Sequence, residues 1–281
     1  MIPFVALGGD NTPLHFLHAN GYPPNCYGPL LKRFATKHQI LGMLLRPLWP
    51  NSNPSEVRDW HPFSQDLLRL FDERRIDSAV GVGHSIGAIV TLRAAINQPA
   101  RFRALVLLDP VLFPRSFILV WDLFRTIGRG YRFHPLIKGA LRRRRDFDDL
   151  DTVFKGYRKR PIFRYISDEH LRVLIDGLTE PKTGGGFKLA YSPEWEARVY
   201  ATGIWRDWDL WTAIPRLEIP TLIIRGAETD TFWKSTARLV MQKNPKIKIV
   251  TLEHSTHLLP LEKPDEVYEI IESFLGTRTI Q

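Results

Sequence analysis

A serine set between two glycines, Gly83-His84-Ser85-Ile86-Gly87, is where residue type and spacing first suggest chemistry. It follows an apolar stretch of strand character, Ala79–Val82, and leads into the small, helix-forming run Ala88-Ile89-Val90-Thr91-Leu92-Arg93-Ala94-Ala95. A G-x-S-x-G between strand and helix turns the chain sharply and lifts the serine above the sheet. Side chains two positions to either side would strike neighbouring backbone, so glycine stands there. The helix starting behind Ser85 also aims its positive end at negative charge developing on a substrate. A serine hydroxyl is a poor nucleophile unless a base takes its proton and a third group holds that base. Downstream, Thr221–Ile224 leads to Glu228 and Asp230 in one loop, and Ile247–Leu252 leads to His254 and His257. Asp109 is another carboxylate, at the end of Ala104–Leu108, able to hold a base or to bond loop amides before Pro110. His254 and His257 stand three apart, a spacing metal ligands use, but no further ligand cluster accompanies them and no metal is expected. His84 reads as structural or pocket-lining.

These residues must be carried by regular elements. Strand candidates are Leu14–Leu17, Ile40–Leu45, Ala79–Val82, Ala104–Leu108, Thr221–Ile224 and Ile247–Leu252, nearly continuous apolar runs suited to strands buried on both faces. Helical candidates begin near Asn25, Phe63, Ile86 and Phe232, with a last one from Pro264 to Leu275, its proline favourable in the first turn. The alternation predicts an α/β fold with a mostly parallel sheet and helices on both faces. The serine, acid and histidine candidates all follow strands, where loops cluster at one edge of such a sheet.

From about Val111 to Thr212 the rhythm breaks. The stretch shows helical periodicity, no convincing strand, many aromatics (Phe113, Phe117, Trp121, Phe124, Tyr131, Phe133, Phe154, Tyr157, Phe163, Tyr165) and a glycine run, Thr183-Gly184-Gly185-Gly186, read as flexible. So long a departure reads as a helical insertion, because structureless loops beyond about 15 residues are uncommon. The expected organisation is a core of residues 1–110 and 213–281 with a helical cap, 111–212. Most of the aromatics are expected to be core of that cap.

With 44% hydrophobic and 25% charged residues, the 281-residue chain has globular composition. The start lacks the form of a signal peptide, and no apolar run approaches the ~18 residues of a membrane span. Cys26 is the sole cysteine, which excludes an internal disulfide, and a cytoplasmic setting is expected. Nothing beside Cys26 suggests an activated thiol. The net charge of +9 raises a nucleic-acid reading. Its densest run, Arg142 to Arg145, is answered at once by Asp146, Asp148, Asp149 and Asp151, an order that suits one helix ending and another starting. The expected partner is a small-molecule substrate and not nucleic acid.

Leu17-His18-Ala19-Asn20-Gly21-Tyr22, Gly83 to Gly87, Leu107-Leu108-Asp109-Pro110, Ile224 to Asp230 and His257 to Pro264 together resemble the α/β-hydrolase superfamily, in its lid-bearing, esterase- and lipase-like group. The resemblance implies an eight-stranded sheet, shortened at its start because few residues precede Leu14. It implies a catalytic set of Ser85, Asp230 and His257, with Glu228 or Asp109 as alternative acids. The backbone N–H groups of Asn20 and Ile86 would form the oxyanion hole. No cofactor is implied. Serine in the elbow, where dehalogenase and epoxide-hydrolase relatives use aspartate, implies attack on a carbonyl. A small or medium apolar carboxylic ester is the expected substrate. The alternatives are carbon–carbon bond, lactone or amide hydrolysis with the same residues, or a non-catalytic receptor on this fold.

Overall fold

The computed structural model describes residues 1–9, 12–127 and 134–277; Tyr131 and Phe133 lie outside them. The chain begins with β1 (Phe4–Leu7), β2 (Pro13–Leu17), α1 (Gly28–Phe34), β3 (Gln39–Met43), α2 (His61–Glu73), β4 (Ala79–His84), α3 (Ile86–Asn97) and β5 (Phe102–Leu108). Next come α4 (Arg115–Thr126), α5 (Pro135–Leu141), β6 (Asp146–Phe147), α6 (Leu150–Arg158), α7 (Asp168–Leu178), β7 (Thr179–Pro181), β8 (Phe187–Leu189), α8 (Pro193–Thr202) and α9 (Trp208–Ala213). The main sheet then resumes with β9 (Thr221–Gly226), α10 (Lys234–Lys243), β10 (Lys248–Leu252), α11 (Leu259–Glu262) and α12 (Pro264–Gly276).

All six expected strands form. They lie in a seven-stranded sheet of order β1-β3-β2-β4-β5-β9-β10. Its pairs are parallel except β1 with β3. One strand, β1, precedes β2, so the described sheet has seven members where the resemblance implies eight. Successive side chains alternate between two cores, as the pleat requires. Leu105 and Leu107 pack with Phe63, Phe71 and Ile89, whereas Ala104, Val106 and Leu108 pack with Phe34, Val267 and Ile271.

Between β5 and β9 the chain is mainly helical, but it also contains a small antiparallel sheet of order β6-β8-β7. These strands are two or three residues long, too short to leave an alternation in the sequence. The glycine run is no slack segment. It turns β7 into β8 with positive φ at Gly184, Gly185 and Gly186 (93°, 103° and 73°), a backbone that suits glycine. Asp149 caps α6 by accepting from Thr152 N–H, and the arginine run follows α5. Arg144 pairs with Asp148 and Arg145 with Glu194, while Arg143 turns inward to Glu196 and the Tyr157 hydroxyl. Stacked Tyr157 and Phe163 are both buried.

Arg93, buried on α3, ties the sheet layer to the start of α9 by donating to Asp207 (3.0 Å) and Asp209 (2.9 Å). His61, at the start of α2, lies between Asp209 and Asp59, each 3.2 Å from a ring nitrogen. Only the imidazolium can donate from both nitrogens. Hydrogen bonding to Asp209 accordingly raises the His61 pKa above 6.5. A raised folded pKa means the protonated form favours the fold. That contribution is complete below the unfolded value near 6.5 and is lost as pH climbs through the folded value. Thermal melts should therefore show wild type losing its advantage over His61→Gln between about pH 6 and pH 8. An advantage that grows over that interval would contradict the assignment.

Candidate active site

The turn from β4 into α3 sets Ser85 in a conformation few L-residues adopt, φ 59° and ψ −119°. Such strain persists only where the surroundings over-determine it. Here the surroundings are backbone. A Cβ on Gly83 would lie 2.4 Å from Gly87 O, and one on Gly87 would lie 2.1 Å from Leu17 O. Both glycines are thus required by contact, as the spacing predicts, and the second contact seats the end of β2 against the serine turn. Ile86 opens α3, so its N–H has no acceptor within the helix.

His257 joins Ser85 to a carboxylate. Its Nε2 lies 2.9 Å from Ser85 Oγ and its Nδ1 lies 2.7 Å from Asp109 Oδ2. Here the structure departs from the expected acid. Asp230 is exposed, and its carboxylate accepts from the neighbouring Thr231 hydroxyl. Glu228 is drawn away to Arg164 (2.5 Å) and the Tyr165 hydroxyl (2.6 Å). The reason lies in sheet order. β5 runs between β4 and β9, with Leu108 level with both His84 and Ile224. Asp109, the next residue, therefore emerges beside Ser85, whose N–H donates to Leu108 O (3.0 Å). Asp109 is fully buried, and it accepts from Gly226 N–H (3.1 Å) and Thr229 Oγ1 (2.5 Å) as well as facing His257. It thus both bonds the amide at the end of β9 and holds the imidazole.

The His257 loop is fixed by Glu262, which accepts from Thr256 N–H (2.7 Å) and the Thr256 hydroxyl (2.5 Å). Burial raises the Glu262 pKa. His254, the other histidine of the pair, takes a positive φ of 50° and is exposed. Among the described residues no three His, Cys, Asp or Glu side chains gather as a metal site.

The loop after β2 is held from several sides. Leu45 N–H donates to His18 Nε2 (3.1 Å), which puts the ring proton on Nδ1, facing Ala19 O at 2.8 Å. Burial pushes the His18 pKa down to about 4, so it stays neutral. The Asn20 side chain donates to Glu196 O (3.0 Å) and accepts from Tyr191 Oη (2.9 Å). Ala19 N–H donates to the Tyr27 hydroxyl (3.2 Å). No spacing rule marks Tyr27, Thr229, Tyr191 or Glu262; contacts between distant parts of the chain reveal the first three, and a contact six residues back reveals Glu262. Cys26 is buried, with its thiol pKa raised by that burial, so it is no ready nucleophile. No helix among the described residues is long and apolar enough to cross a membrane.

Comparison with known proteins agrees with this architecture. The pimeloyl-[acyl-carrier protein] methyl ester esterase of Legionella pneumophila (strain Corby) is 22% identical over 269 residues, covering 95% of this chain and 96% of its own. Esterase YbfF of Escherichia coli (strain K12) is 19% identical over 268 residues, covering 95% and 94%. The crystal structure of E-2-(acetamidomethylene)succinate hydrolase matches with a TM-score of 0.76 at 18% identity, over 98% of this chain and all (100%) of the other. A family model described as "Alpha/beta hydrolase family" matches residues 16–270, from the end of β2 into α12, and the chain belongs to that family of hydrolases.

Proposed function

We propose that this hydrolase cleaves a small or medium apolar carboxylic ester through an acyl-enzyme on Ser85. The observation that carries the reading is the imidazole of His257, 2.9 Å from the serine hydroxyl and 2.7 Å from a buried carboxylate. His257 Nε2 takes the Ser85 proton as Oγ attacks the ester carbonyl. Asp109 keeps the other ring proton on Nδ1 and offsets the charge the ring acquires. The tetrahedral oxygen receives the backbone N–H groups of Ile86 and Asn20, each such donor typically contributing ~3–4 kcal/mol. The alcohol departs with the proton from Nε2. Water then repeats the sequence on the acyl-enzyme, releasing the acid and restoring Ser85. Residues 111–212 serve as the cap, and residues 1–110 with 213–281 as the core. The esterase names of two relatives support ester over amide or lactone cleavage.

A fluorophosphonate probe should label wild type and fail to label Ser85→Ala, and Ser85→Ala should remain folded while losing turnover of p-nitrophenyl esters. Faster cleavage of lactone or anilide substrates than of every ester in the panel would reassign the reaction. For the acid, Asp109→Asn should lower kcat by up to ~10⁴-fold, while Asp230→Asn keeps nearly full activity. The opposite pair of results would return the role to Asp230.

A further inference from the structure

Directly behind the reacting atoms lies a buried line of polar groups that the mechanism above leaves unused. His84, the residue before Ser85, is wholly inaccessible, as is Tyr27. The Tyr27 hydroxyl lies 2.7 Å from His84 Nδ1, and His84 Nε2 lies 2.8 Å from the main-chain oxygen of His257. At the far end Ala19 N–H donates to the same Tyr27 hydroxyl.

The proton inventory permits one arrangement. A carbonyl oxygen only accepts, so Nε2 of His84 must carry a proton; otherwise two acceptors would face each other at 2.8 Å. Burial and the adjacent His257 lower the His84 pKa well below 6.5, so the ring is neutral and holds a single proton. Nδ1 is therefore bare and accepts from Tyr27. The Tyr27 oxygen is then free to accept from Ala19 N–H, which can only donate. Every member is satisfied, all pointing one way, in surroundings where such bonds strengthen one another.

We propose that Tyr27 and His84 are positioning residues, a three-bond relay tying the loop that bears the Asn20 oxyanion donor to the main chain of His257. The relay passes through the residue next to the nucleophile. Base and oxyanion hole are thereby referred to a single internal line and cannot drift independently. The role rests on the reading of Ser85 and His257 given above, since a relay without chemistry beside it would only pack.

Two measurements test it. Long-range ¹H–¹⁵N spectra of the full-length protein should show His84 as the Nε2–H tautomer with no titration across the neutral range. An Nδ1–H tautomer, or titration of that ring, overturns the relay whatever the activity. In kinetics on one p-nitrophenyl ester, Tyr27→Phe should lower kcat by ~10–100-fold with KM nearly unchanged. His84→Gln, which keeps a donor for the His257 carbonyl, should retain more kcat than His84→Leu. A wild-type kcat in Tyr27→Phe overturns the proposal, and so do equal losses in Gln and Leu. Wild-type protein that takes up no fluorophosphonate and cleaves no ester defeats the hydrolase assignment of these residues, while the tautomer still decides whether the relay exists.

Discussion

The imidazole of His257 has two nitrogens, and the site depends on both being engaged at once, one by a hydroxyl and the other by a carboxylate. In the proposed reaction, a ring that meets only Asp109 has nothing to activate. A ring that meets only Ser85 is free to rotate and to carry its proton on the wrong nitrogen. The remaining structure can be understood as what keeps three backbone segments in register for that double contact.

A parallel sheet does most of this. Adjacent strands end at the same edge, so residues following β4 and β5 are neighbours by construction. Part of the cost falls just past the strand ends. Ser85, Asp109 and His254 all take positive φ (59°, 40° and 50°), an uncommon backbone for residues other than glycine. Strain of this kind needs surroundings that enforce it. They are identifiable here: Gly83 and Gly87 in backbone contact around Ser85, Gly226 N–H and Thr229 on Asp109, and Glu262 beneath the His257 loop.

The segment between β5 and β9 reaches both sides of this edge. Tyr191 and Glu196 hold the Asn20 side chain, and Arg164 and Tyr165 hold Glu228. Contacts from one segment to both flanks of the serine mean that its packing and the shape of the site are set together. Arg143 reinforces the first contact by pairing with Glu196 from within the structure, so the most basic run in the sequence spends one of its charges internally.

What the sequence determined by itself is the framework. Apolar strands, helix starts at Ile86 and Pro264 and the Gly83–Gly87 turn are local patterns, each enforced by pleat, capping or steric contact within a few residues. The meeting of Ser85 with His257 was legible for the same reason: each sits in a local motif just past a strand. Which carboxylate meets His257 was not, because Asp109, Glu228 and Asp230 all follow strands and have equivalent chemistry. Choosing among them requires knowing that β5 lies beside β4, and that the β9 loop turns outward after Thr229. The short strands β6 to β8 and the Tyr27–His84 line escape sequence reading on similar grounds, the former leaving no periodicity and the latter joining residues 57 positions apart. Tertiary packing alone decides which of several competent side chains arrives within hydrogen-bonding distance, because spacing along the chain sets direction locally and distance only over a few residues.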